Sequence, residues 1–159
     1  MGDLVLRIER LNSTHDRTSF ECGQVRLDRY LREQASQDVR RNLTSVFVAV
    51  EGARIAGFFT LATSSIEVKL LPEGIGRKLP RYRLVPAVLM GRMAVSRKHQ
   101  GKGIGSRMMG AALGIALDLP VAWAFFVVDA KDAPAAAFYR QFGFQSLRDD
   151  PCHMFLKRP

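Results

Sequence analysis

GRMAVSRKHQGKGIGS, residues 91–106, is the stretch whose reading decides the fold. Apolar residues over 88–95 predict a buried strand, and residues 96–99 a short basic turn. Residues 100–105 form a glycine-rich loop, and a helix begins near Ile104. Gly101, Gly103 and Gly105 stand at alternate positions and leave the loop amides bare. With the positive end of a helix dipole behind them, they make a site for phosphate or pyrophosphate. Arg97, Lys98 and Lys102 add positive charge to the same corner. Spacing excludes the two commonest nucleotide loops. A dinucleotide fingerprint needs glycine where Ser106 stands, and a P-loop needs Ser or Thr where Gly103 follows Lys102. What remains is Q-x-x-G-x-G, from Gln100 to Gly105, after a strand and at a helix start.

Outward from this loop, the chain alternates between the two regular structures. Residues 4–8 read as a first strand. Residues 20–41 have helical period, with Leu27, Tyr30, Leu31, Ala35 and Val39 on one face and arginines largely off it. Residues 44–50 and 54–63 form a hairpin about Glu51-Gly52-Ala53. Residues 66–83 hold Pro72, Gly74, Gly76 and Pro80, and predict a surface connection or short helix. The strand over 85–95 carries Pro86 at its start, and Gly91 inside it predicts a bulge or a close backbone approach. A helix over 104–118 ends at Leu119-Pro120. Residues 121–129 are apolar on both phases, as a strand covered on both faces reads. A short helix over 133–142 has Pro134 in its first turn and Gly143 as its stop. Strands over 144–147 and 152–156 close the chain. The order predicts an α/β (α+β) fold, a sheet of mixed direction with crossover helices around its middle.

At 159 residues the chain is expected to form one domain, residues 1–159, with a sizeable core. No apolar run approaches a membrane span, and the start, MGDLVLRIER, lacks the order of a signal peptide, so a cytoplasmic location is expected. Cys22 and Cys152 are far apart with no CxxC spacing, and His15, His99 and His153 have no ligand-spaced partners. Reduced thiols and no metal are expected. Lysine plus arginine number 24 against 15 acids, a net charge of +9. That excess points to a polyanionic partner: nucleic acid, an acidic protein or an anionic cofactor.

GRMAV, HQGKGIG, VVDA and AFYRQFGF, in this order and spacing, resemble the core of the GNAT superfamily of acetyl-CoA-dependent N-acetyltransferases over almost the whole chain. The resemblance implies the GNAT fold, about six to seven strands flanked by about four helices and splayed between the fourth and fifth strands. It implies that Gln100, Gly101, Lys102, Gly103, Ile104, Gly105 and Ser106 hold the pyrophosphate of acetyl-CoA. The backbone of Met93, Ala94 and Val95 would pair with the pantetheine arm, and Asp129, Ala130 and Phe138 would complete the cofactor set. A backbone N–H near Ala94 or Val95 would stabilise the oxyanion. Tyr139 matches the family's general-acid tyrosine, which protonates the leaving thiolate; the other reading is a core aromatic beside Phe138 and Phe142. No carboxylate stands in the strand over 85–95, where many relatives have one. Glu67 and Asp129 are the nearest candidates for a base.

The helix FECGQVRLDRYLREQASQDVRR, with LPRYRLVPAVLMGRMAV and VVDAKDAPAAAFYRQFGF, is similar to a narrower group, the acetyltransferase toxins of type II toxin–antitoxin modules (TacT- and AtaT-like). This implies acetylation of the α-amine of aminoacyl-tRNA and a block of translation. It also implies a cognate antitoxin, usually ribbon-helix-helix, and often a homodimer. The charge agrees independently, since a tRNA substrate requires a basic surface. An α-amine has a pKa of about 7.7–8.0, so a strong base matters less. Candidate tRNA contacts are Arg26, Arg29, Arg77, Lys78, Arg81 and Arg92; for Arg92 the other reading is an ion pair with a nearby acid. Two alternatives are an acetyltransferase of a protein or small-molecule amine, and a non-catalytic module binding acetyl-CoA or nucleic acid.

Overall fold

Strand β3, Arg54–Glu67, is the longest in the chain, 14 residues rich in β-branched and aromatic side chains. In a computed structural model, which describes residues 5–159, it contributes to both of the units into which the chain divides. The first unit comprises Met1–Leu61 and Arg92–Leu117; the second comprises Ala62–Gly91 and Asp118–Pro159.

In the first unit β1 (Arg7–Arg10), β2 (Ser45–Glu51), β3 and β5 (Met93–Val95) pair in that order, all antiparallel. The β2–β3 hairpin closes through Gly52, whose φ of 63° suits a tight two-residue turn. One face of this sheet buries Val46, Val48, Val50 and Phe58 against Phe20, Tyr30, Leu31 and Ala35. The last three belong to helix α1, which runs as Val25–Arg29, a π-helical turn Tyr30–Gln34, and Ala35–Arg40. Helix α3, Ile104–Leu117, buries Ile104, Met108, Met109, Ala112 and Ala116.

The second unit pairs β3 with β4 (Leu84–Met90), β4 with β6 (Phe125–Asp129), β6 with β8 (His153–Lys157) and β8 with β7 (Gln145–Ser146). Only β4 and β6 run parallel. A 3-10 turn Val68–Leu70 and the short helix α2, Glu73–Gly76, follow β3, and α4 spans Ala133–Arg140. Ile66, Val85, Ala87, Phe125, Val127 and Phe155 form a core on one face. Among the described residues, eight strands and four helices make the mixed α/β arrangement that the sequence predicts.

Several boundaries differ from the sequence reading, each for a physical reason. The first strand is Arg7–Arg10 rather than 4–8, because its pairing with β2 begins at Arg7↔Val50; Leu4 lies outside the described residues. Residues 20–24 are loop, with Phe20 and Cys22 buried, so α1 starts only at Val25. The single strand expected over 85–95 is two. Phe59 pairs with Met93 and Ala62 with Leu89, so two residues of β3 face three, a β-bulge at Gly91. The Thr60 N–H donates to Arg92 O at 3.0 Å, and the Arg92 N–H donates to Thr60 Oγ1 at 3.1 Å, which satisfies the extra amide. Residues 121–124 are not strand: Val121 is exposed, and pairing with β4 begins at Phe125.

Candidate active site

In the first unit the candidate elements are β5, the glycine loop and the start of α3. Each edge of a strand presents alternate N–H and C=O groups, so β5, paired to β3 on one side, turns the remainder the other way. Ala94 is buried opposite Phe58. After Val95 the chain is pinned by Ser96 N–H donating to Ala56 O at 2.8 Å, then makes the 3-10 turn Arg97–His99. Gly101 and Gly103 both have φ of 77°. A Cβ on either would meet nothing within 4 Å, so it is the left-handed backbone, not crowding, that calls for glycine. The first-turn amides of α3 have no partner within a helix. No acidic residue occupies that turn, so nothing competes with an incoming anion. Lys102 and Ser106 are exposed beside them.

Gln100 takes part differently from its neighbours. Its side-chain Nε2 donates to Cys22 O and to Val95 O, each at 3.0 Å. The carboxamide therefore ties the loop 20–24 and the end of β5 to the glycine loop, leaving backbone amides as the loop's anion donors.

The second unit carries Tyr139. Asp132 caps α4 by accepting from the Ala135 N–H at 2.9 Å, with Pro134 in the first turn. Gly143, φ 96°, ends the segment. Tyr139 is 4% exposed, its ring 5.7 Å from Phe144 and 5.4 Å from Phe138. Burial first, and the negative charge of Asp129 second, push its hydroxyl pKa well above the ordinary tyrosine value. Tyr139 thus keeps its proton through the neutral range, as a donor must. Asp129 ends β6 and lies 3.9 Å from His153 Nε2, while the Ala130 N–H donates to Cys152 O at 2.8 Å. Glu67, at the end of β3, is ion-paired to Lys69 at 3.2 Å. Phe138 packs on Phe142 with centroids 5.0 Å apart.

The candidate nucleic-acid contacts fall in both units. Arg26 and Arg29 are exposed on α1, in the first. Arg77, Lys78 and Arg81 are exposed just after α2, in the second, with Arg77 bound to Glu73 at 2.9 Å. Arg92, in the first, makes no ion pair among the described residues; its guanidinium lies 3.7 Å from the Tyr30 ring centroid. The Tyr30 hydroxyl donates to Asp38 Oδ2 at 2.9 Å, and burial with this bond pushes its pKa up to about 12. Tyr30, Asp38 and Thr60 carry no signal of a site in the sequence: Tyr30 reads as part of the apolar face of its helix, and Thr60 as an ordinary strand residue. Among the described residues no group of three or more His, Cys, Asp or Glu could hold a metal ion, and no helix is long and apolar enough to cross a membrane. No disulfide joins Cys22 and Cys152, and the Cys22 thiol donates to Gln24 O at 3.6 Å.

The family described as acetyltransferase (GNAT) domain matches residues 42–146. The tRNA-acetylating toxin of Mycobacterium tuberculosis (strain ATCC 25618 / H37Rv) is 34% identical over 149 residues, covering 92% of this chain and 89% of that protein. A tyrosine-to-phenylalanine mutant of KacT matches with a TM-score of 0.89 at 26% identity, over 96% of this chain and 95% of its own. AtaT complexed with acetyl-methionyl-tRNAfMet matches at 0.88 and 25%, over 96% and 95%. AtaTR bound with AcCoA matches at 0.82 and 25%, over 96% and 94%.

Proposed function

The chain belongs to the GNAT acetyltransferase family, and on that premise we propose that the whole of it is one catalytic domain that acetylates the α-amine of aminoacyl-tRNA from acetyl-CoA and so blocks translation. The observation that supports acyl transfer is that the chain carries, each in its own unit, a glycine loop whose backbone is set for an anion and a buried tyrosine hydroxyl that stays protonated. The 34% identity to a tRNA-acetylating toxin narrows the acceptor to charged tRNA, and a net charge of +9 agrees with it.

Acetyl-CoA supplies an acetyl group activated as a thioester. The amides of Gly101, Gly103, Ile104, Gly105 and Ser106 hold its pyrophosphate, with Lys102 beside them. The edge of β5, Met93–Val95, extends along the pantetheine arm, and an N–H of Ala94 or Val95 faces the carbonyl oxygen as negative charge develops there. The incoming amine forms the C–N bond as the C–S bond breaks. Tyr139 gives its proton to the departing sulfur and is reprotonated from solvent. The amine's surplus proton leaves through water: an α-amine with a pKa of about 7.7–8.0 is already neutral in a sizeable fraction at physiological pH. Asp129, Ala130 and Phe138 frame the tyrosine's side of the reaction. Arg26, Arg29, Arg77, Lys78, Arg81 and Arg92 supply the phosphate contacts.

The similarity to toxins of toxin–antitoxin modules supports a cognate antitoxin, of ribbon-helix-helix type, and a homodimer acting in the cytoplasm, where charged tRNA resides. The test is incubation with labelled acetyl-CoA and a mixed pool of charged tRNAs. Label on the aminoacyl group is expected; label that appears only on another amine refutes the reading. Tyr139→Phe is expected to lower kcat by about 10²–10⁴ and to abolish growth arrest on expression. Growth arrest undiminished by that change would sink the catalytic role.

A further inference from the structure

Tyr30 and Asp38 meet because α1 is irregular. At 3.6 residues per turn, eight steps along a regular helix end about 80° past the starting direction. Residues Tyr30–Gln34 are π-helical, and a π turn absorbs one extra residue. The seven steps that remain span about 700°, within about 20° of a common face. The Tyr30 hydroxyl therefore reaches the Asp38 carboxylate, and both side chains are buried.

The ring held in this way is the floor under Arg92. The guanidinium sits 3.7 Å from the Tyr30 centroid, and the Arg92 backbone is clamped on both its N–H and its C=O by Thr60. Arg92 is half-buried and has no ion pair and no side-chain hydrogen bond among the described residues. Asp38, the carboxylate bound to Tyr30, is engaged by the phenol. A guanidinium with one face on a ring keeps its N–H donors in a fixed plane at the edge, the fork that takes a phosphate bidentately. It is also the residue immediately before β5.

We infer that Tyr30 and Asp38 are positioning residues, brought into register by the π turn, that hold Arg92 as a preset receiver for a phosphodiester at the acceptor end of charged tRNA. This rests on the aminoacyl-tRNA reading above. The phenol–carboxylate bond fixes the ring, the ring fixes the plane of the guanidinium, and the guanidinium contributes at the step of tRNA binding rather than at acetyl transfer.

The test uses the full chain and steady-state acetylation of charged tRNA over a KCl series, with Arg92→Ala, Tyr30→Leu and the double variant. Arg92→Ala is expected to raise KM for charged tRNA about tenfold and to reduce the slope of log KM against log salt by about 0.7–0.9, one phosphate contact. Tyr30→Leu should reproduce most of both changes. The double variant should be no worse than Arg92→Ala, and KM for acetyl-CoA should stay within about twofold. Asp38→Asn and Tyr30→Phe, which preserve packing, read the same quantities if Tyr30→Leu folds poorly. Multiplicative effects in the double variant, an unchanged salt slope, or equal rises in both KM values would overturn the inference alone. A wild-type chain that leaves charged tRNA unlabelled sinks the aminoacyl-tRNA reading and takes this inference with it.

Discussion

Gly57→Ala tests how the glycine loop is held from beneath. Gly57 lies in β3 opposite Val95. A Cβ at this position would stand 2.8 Å from Met108 Cε, 2.9 Å from Met108 Sδ and 2.9 Å from Ala94 O. Contacts this short cannot persist, so something must move. The end of Met108 is flexible, but the side chain is fully buried and has only packed atoms to move into. Ala94 O belongs to β5, and β5 leads straight into the glycine loop. Overpacking of this kind costs about 1–3 kcal/mol. The smaller entropy of an unfolded alanine returns about 0.4–1 kcal/mol. The net loss of about 1–2 kcal/mol corresponds to a fall in Tm of about 2–8 °C for a chain of this size. Thermal unfolding measures that fall, and substrate titrations give the functional side: KM for acetyl-CoA should rise more than KM for charged tRNA. Gly110→Ala is the control. It is exposed on α3 with nothing within 4 Å of its added Cβ, and the change should stabilise the chain by about 0.5–1 kcal/mol. In a Met108→Val background, which lacks Sδ and Cε, the cost of Gly57→Ala should shrink. A Gly57→Ala chain as stable as wild type in both backgrounds, with acetyl-CoA handling unchanged, would refute the reasoning.

Three further predictions concern the buried phenols and the helix that carries Tyr139. Because burial and then Asp129 raise the pKa of Tyr139, the hydroxyl stays protonated up to about pH 10, the ordinary tyrosine value, and kcat should not fall on its account below that. Asp129→Asn removes the negative neighbour and should move the alkaline fall to lower pH, read from a pH–kcat profile. The sign for stability is the same for both buried phenols. Tyr30 and Tyr139 have folded pKa values above the unfolded one, so their contribution is intact below about pH 10 and is lost as pH rises beyond it. Urea midpoints measured across that window should fall; a flat midpoint would argue against burial of the phenols. Asp132→Ala removes the cap of α4 and should cost about 1 kcal/mol in the urea midpoint. No loss would mean that α4 is held by packing alone.

The elements around the glycine loop were legible because each carries a local signal. The glycine spacing, the helix starting at Ile104 and the Gly52 hairpin depend on residues close in sequence, and the structure has them where the sequence reading put them. Gly91 announced its bulge because glycine inside a strand is otherwise unfavourable. What could not be read depends on distant partners. The strand over 85–95 divides because β3 offers it two residues for three, a property of pairing rather than of its own composition. The π turn in α1 leaves no compositional mark; the helical reading put Val39 on the buried face, where it is 37% exposed, and did not single out Asp38, which is buried. Phe20 looked helical but is buried from a loop, where its edge-on contact with Phe58, 5.6 Å between centroids, holds it.

The two bonds made by Gln100 bear on how this loop drifts through evolution. Their acceptors are the main-chain carbonyls of Cys22 and Val95. A carbonyl persists whatever side chain its residue carries, so positions 22 and 95 can change identity and keep both acceptors in place. A change at 100 removes both bonds at once. The tie between loop 20–24 and the glycine loop therefore has one readable letter and two silent ones. Pairwise covariation, which finds contacts by matched changes of side chains, is blind to it. A change in the length of loop 20–24 would move the Cys22 acceptor and be felt at the glycine loop without a single substitution there.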